Sequence, residues 1–338
     1  VESHMMTIND LYDDLWLEIF EFLYINEIFH SFWNINSNVN RLITDHRQKL
    51  HAFMISEESQ DYFNLTILPN IHSDQLILLK LKYCYKNQIN LYEFKNLQSL
   101  TLFNIDSTRL KSLFMQKQSI KLKYLCFNVL IVDNKDKSKI LKSLLKMTTL
   151  KTCQFNFIAG KIGLTGKNII SSSILSNIEN LITESDFVTT SLFKLIPHLP
   201  KLHYLNIHLQ CDDRYKSDIT LNSLLNLKIL KLYLSHVSFN HLKLLFKSVC
   251  SNLQILMLNG WITNDLQYLS SENWINIFKL LKNLQKFKIN LTYHTWRRLT
   301  TEEINRIITD FEHYQQKIRV SQWQKSNGKN DLYLIGEY

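Results

Sequence analysis

The stretch GKIGLTGKN at 160–168 carries three glycines and a Gly166-Lys167 pair, the raw material of a phosphate-cradling loop. The spacing that chemistry needs is missing. Lys161 stands where the first glycine belongs, and Asn168 replaces the hydroxyl residue that would hold magnesium. The segment reads as a loop. His198, His203 and His208 invite a metal reading, yet Cys211, Asp212 and Asp213 are the only nearby donors and no zinc-type spacing results. No serine–histidine–aspartate ordering, paired-carboxylate motif or glycine-rich dinucleotide turn stands out. The expectation is a protein that performs no bond chemistry and needs no cofactor or metal. What the chain does offer is contact chemistry: aromatic, amide and lysine side chains at regular spacing.

That spacing comes from a phrase of the form LxxLxL. It occurs at Leu97–Leu102, Leu122–Phe127, Leu202–Ile207, Leu227–Leu232 and Leu253–Leu258, with weaker copies starting at Leu76, Leu150, Ile178 and Leu284. The starts recur on average about every 26 residues. Helical patterns lie between several phrases, with Ser107, Ser138 and Ser238 as N-caps. Leucines at alternate positions bury one side of a strand, so the intervening residues must line the other. These include Tyr124, Gln154, Tyr204, Asn206, His208, Lys231, Tyr233, Met257 and Asn259. Tyrosines and amides supply area and hydrogen bonds at modest entropic cost, which suits a protein target.

Period and phrase resemble the leucine-rich repeat family. The resemblance implies an α/β fold, a leucine-rich-repeat solenoid (horseshoe) over residues 65–290, because stacked strands take about 4.8 Å each while helices need about 10 Å. It departs at the slot three residues after the phrase, where the family favours Asn or Cys and this chain has Cys84 but otherwise Ile105, Leu130, Ile158, Gln210, Ser235, Trp261 and Thr292.

Ahead of the phrases, LYDDLWLEIFEFL at 11–23 carries more apolar side chain than one core contact requires. At 100° per residue with Leu11 as zero, Phe22, Leu15, Ile19, Leu23, Trp16 and Phe20 fall between about 20° and 180°, an arc near 160°, against the roughly 100° of a helix resting on a single core. Two contacts are expected, one internal and one external. Two more short helices follow, through Ile28-Phe29 and through Val39, Leu42 and Ile43. Leu11-Tyr12, Ile19-Phe20, Leu23 and Glu27-Ile28 resemble the F-box pattern, with Tyr12 in place of the family's usual proline. The resemblance implies a small three-helix F-box-like domain at 7–50 that seats the Skp adaptor of a cullin-RING (SCF-type) ubiquitin ligase. Its contacts would be Leu11, Leu15, Trp16, Ile19, Phe20, Leu23 and Ile28. It also implies a substrate-recognition subunit: the helices hold the ligase, the repeats hold an unnamed protein target, and a target lysine is concentrated near the ubiquitin carrier. A protein-interaction scaffold without a ubiquitin role is the alternative.

Residues 51–64 read as a linker and 291–338 as a C-terminal cap, with a helix from Thr301 to about Gln316 and a final strand at Leu332–Ile335. The net charge of +9 is dispersed among Asn, Ser and Leu, so a nucleic-acid partner is not expected despite Arg297-Arg298 after Trp296. Five scattered cysteines without a CxxC pair fit a reducing compartment. No apolar run approaches the length of a membrane span and no signal-peptide pattern opens the chain, so an intracellular protein, cytoplasmic or nuclear, is expected.

Overall fold

A computed structural model describes residues 11–82, 91–115, 121–130, 133–158, 161–163, 174–211, 224–249, 252–294, 299–313, 318–324 and 330–337. The chain divides into two compact units, 1–130 and 131–338.

The first unit begins with helices α1 (Asp13–Glu21), α2 (Ile25–Phe32) and α3 (Ser37–Ile43). Two aspartates, Asp13 and Asp14, occupy the first turn of α1, where negative charge complements the helix dipole. Asn36 caps α3, its side chain accepting from the Val39 N–H at 2.7 Å. Four parallel strands follow in sequence order: β1 (Leu50–Met54), β2 (Leu76–Lys82), β3 (Ser99–Ile105) and β4 (Tyr124–Val129), with α4 (Glu57–Tyr62) after β1 and α5 (Ser107–Met115) after β3.

The second unit runs β5 (Thr152–Phe157), β6 (Asn180–Val188), β7 (Tyr204–Gln210), β8 (Ile229–Ser235), β9 (Ile255–Thr263) and β10 (Lys286–His294), each parallel to the next. Then β12 (Asn330–Glu337) adds antiparallel to β10, and β11 (Ile318–Gln324) antiparallel to β12. Helices α6 (Asn134–Leu145), α7 (Thr189–Leu195), α8 (Phe239–Val249), α9 (Ser271–Leu280) and α10 (Thr301–His313) interrupt this run. Leucine at alternate strand positions is buried, as in the burial alternation of β7 and β8, and β-carbons that alternate sides explain why.

The expected architecture, a leucine-rich-repeat solenoid (horseshoe) behind a separate three-helix F-box-like domain, is corrected by this arrangement. The chain is an α/β fold built on mostly parallel sheet, and its helical start is fused to that sheet. Each of the nine phrases lies on one of β2 to β10, but a leucine phrase specifies only a strand buried on one side, not the connection that follows it. A short 3-10 turn at Leu91–Glu93 is the helical element described between β2 and β3. The three N-terminal helices are too short to bury their apolar sides on one another. They share a unit with β1, a strand that falls where a linker was expected, and Trp16, Phe20, Ile25, Ile28 and Phe29 are all buried. The antiparallel β11 was also not foreseen.

Candidate protein-interaction surfaces

The apolar arc of α1 divides into two halves. Trp16 and Phe20, four residues apart, are 2% and 1% exposed, and their rings pack at 5.6 Å with Phe32 of α2 closing the cluster at 5.5 and 5.8 Å. Tyr12, Leu15, Ile19 and Phe22 occupy the adjoining stripe at spacings of three and four residues, an arc of about 80°. Tyr12 is 76% exposed, Leu15 41% and Phe22 89%, with Ile19 half-buried between them. One apolar side of the helix is thus packed inside and the other open, and the division between them differs from the sequence expectation. Trp16, Phe20 and Ile28 belong to the core, so they are withdrawn from the candidate adaptor contacts; Leu15 is open, and Leu11, Ile19 and Leu23 are partly so. Tyr12 and Phe22, exposed beside them, were not among the expected contacts. The signal for Phe22 was present in the arc itself, since it lies near the edge away from Trp16 and Phe20.

The helix is tied down beside this stripe. Asp13 accepts from the Arg41 guanidinium at 2.7 Å and from the Asn38 amide at 3.0 Å, linking α1 to α3. The Asn38 hydrogen bond, then that of Arg41, holds the Asp13 carboxyl below its ordinary range.

In the second unit, strand register assembles the outward residues into rows. One row reads Gln154, Ile182, Asn206, Lys231, Met257, Lys288 across β5 to β10. The next reads Asp186, His208, Tyr233, Asn259, Asn290, and the next Gln210, Ser235, Trp261, Thr292. Tyr204 lies in an earlier row that reads Thr152, Asn180, Tyr204, Ile229, Ile255, Lys286. All the expected target-facing residues of this unit therefore lie on one side of the sheet. Tyr124 belongs to the first unit, on β4 beside Ser99.

Within these rows the side chains interlock. Lys231 Nζ sits 5.4 Å from the centre of the Tyr204 ring, within cation–π range. The His208 and Tyr233 rings lie 4.7 Å apart, and Tyr233 meets Trp261 edge-on at 5.4 Å. Trp261 Nε1 donates to His236 Nε2 at 3.1 Å, while His236 Nδ1 bonds Thr263 Oγ1. If Nε2 accepts, Nδ1 carries the proton and donates, which fixes the neutral tautomer. Gln210 Oε1 is buried with no hydrogen-bond partner among the described residues, an acceptor that a donor from outside would satisfy.

Trp261, His236 and Thr263 were not among the expected contacts. The six-residue phrase ends at Leu258, but β9 continues to Thr263, so the alternation 257, 259, 261, 263 carries Trp261 to the same side as Met257 and Asn259. The pairing of Gly260 with Leu234 makes this possible. Gly260 has φ +124°, and a β-carbon there would stand 2.0 Å from the Leu234 carbonyl oxygen.

No group of three metal-ligating side chains converges among the described residues. Asp212, Asp213, most of the 160–168 segment and Trp296-Arg297-Arg298 lie outside the described residues. No described helix is long and apolar enough to cross a membrane. Comparison with protein-family models and with curated proteins finds no match for this chain.

Proposed function

We propose that the protein is a non-enzymatic receptor that joins two other proteins, docking an adaptor on the outer stripe of α1 and a target on the β7–β10 side of the sheet. The observation that carries this reading is the row Tyr12, Leu15, Ile19, Phe22, because large apolar side chains exposed at helical spacing stay stable in water but gain when a partner covers them. The F-box resemblance of residues 11–28 names the adaptor: Skp, and through it a cullin, which makes the protein a substrate-recognition subunit of an SCF-type ubiquitin ligase acting inside the cell. Lys231, Lys286 and Lys288 among Tyr204, Tyr233 and Trp261 favour a target segment bearing carboxylates and an aromatic residue.

A pull-down with purified Skp adaptor tests it. The full chain retains the adaptor, Leu15→Asp with Phe22→Asp loses it, and the variant melts at the wild-type temperature because neither side chain is part of the core. Failure of the wild-type chain to retain the adaptor, or retention by the folded variant, contradicts the adaptor assignment.

A further inference from the structure

Tyr293 on β10 is 1% exposed, yet its hydroxyl has no hydrogen-bond partner among the described residues. Tyr268, just as deeply buried, shows the ordinary solution: its Oη donates to the Val237 carbonyl at 3.0 Å. Tyr293 also lines a cavity of about 570 Å3, within the usual range for small-molecule sites. Leu266, Leu269, Leu299 and Ile307 give that cavity apolar walls. Its charged lining is Glu272, in the first turn of α9, with Glu303, Arg306 and Asp310 on α10.

Charge selects the kind of occupant. Three carboxylates face one guanidinium, and Arg306 stands three residues from Glu303 and four from Asp310, where helix neighbours screen one another. Glu303 already accepts from the Thr300 N–H at 2.9 Å as a helix cap. Among the described residues no hydrogen bond or ion pair engages Glu272 or Asp310, and with Glu303 they outnumber Arg306 three to one, so the lining keeps a net negative charge. A carboxylate ligand would enter against this field, whereas a cation would be drawn by it.

We propose that this cavity binds a small organic cation, an ammonium head on an apolar body, with Glu272 and Asp310 neutralising the head, the leucines covering the body and Tyr293 Oη accepting from an N–H. An ammonium carries donors and no acceptor, which matches carboxylates and a hydroxyl lone pair. Burial pushes the Tyr293 hydroxyl up to about 12, so it stays protonated and neutral. The site stands apart from the receptor reading and does not depend on it.

Calorimetric titration of the full chain with phenethylammonium, and with 3-phenylpropanoate as a probe of similar body and opposite charge, decides the matter. Saturable binding of the amine alone is expected, weakened about tenfold or more by Asp310→Asn with Glu272→Gln. Tyr293→Phe, which keeps the ring, weakens it severalfold. No saturable binding of the amine, binding of the carboxylate at equal affinity, or an unchanged affinity in the double variant with a wild-type melting temperature overturns the proposal.

Discussion

The outer stripe of α1 and the β7–β10 surface differ in what water does for them. Along the outer stripe of α1 stand Tyr12, Leu15 and Phe22, exposed, and Ile19, half-buried, almost wholly apolar and without contacts to one another through polar atoms. On the sheet, Trp261, His236 and Thr263 are hydrogen-bonded in series, and Lys231 rests on Tyr204. The first surface gains from being covered by almost anything apolar of the right shape. The second holds most of its polar groups in internal contacts and leaves the Gln210 Oε1 acceptor without a partner among the described residues, so a partner must match its donors, acceptors and rings, which is the behaviour of a selective site. A common adaptor and a specific target would need surfaces of these two kinds.

The comparison breaks most visibly at the core beneath α1. Trp16→Ala removes a ring packed on Phe20 and Phe32 and is expected to cost about 3–5 kcal/mol, while Phe22→Ala, six residues away, should change stability by less than about 0.5 kcal/mol. Urea unfolding of the two variants measures the difference; equal losses would mean that the inside and outside of α1 have been wrongly divided. Gly260→Ala comes next. Its methyl would collide with the Leu234 backbone at a φ that alanine avoids, so a loss of roughly 2–4 kcal/mol is expected, together with a shift in Trp261 fluorescence as β9 moves.

Trp261→Ala sharpens the contrast from the other side. At 38% exposure the indole contributes about 1 kcal/mol of ring and hydrogen-bond contact, yet its removal should cost target binding far more than stability. The same substitution should leave adaptor retention intact. The smallest effect concerns Asp13. Its folded-state value lies below the unfolded value near 3.8, so its stabilising link to Arg41 and Asn38 is complete above that value and fades as the pH falls through the folded one. Asp13→Asn should flatten the low end of a stability-against-pH curve, with no difference from wild type expected at neutral pH beyond the lost ion pair.

How much of this was legible beforehand follows from what each signal encodes. Alternating leucines announced β2 to β10, because a period of two can be satisfied only by strands buried on one side. They said nothing of β1 and β11, whose pairing is set by distant neighbours, nor of how strands are joined. For the candidate sites, the width of the apolar arc on α1 was readable but its orientation was not. Trp16 and Phe20 turn inward because Phe32, one helix later, offers them rings. Lys231, Tyr233, Met257 and Asn259 were readable from alternation alone, whereas His236 enters through a left-handed backbone turn at φ +56° that no pattern announces.

Amide hydrogen exchange on the full chain with and without the Skp adaptor tests the central claim most directly. Slowed exchange across residues 12–23, with β7 to β9 unchanged, is the result this account predicts. Unchanged exchange in α1 under saturating adaptor, or protection confined to the sheet, would contradict it.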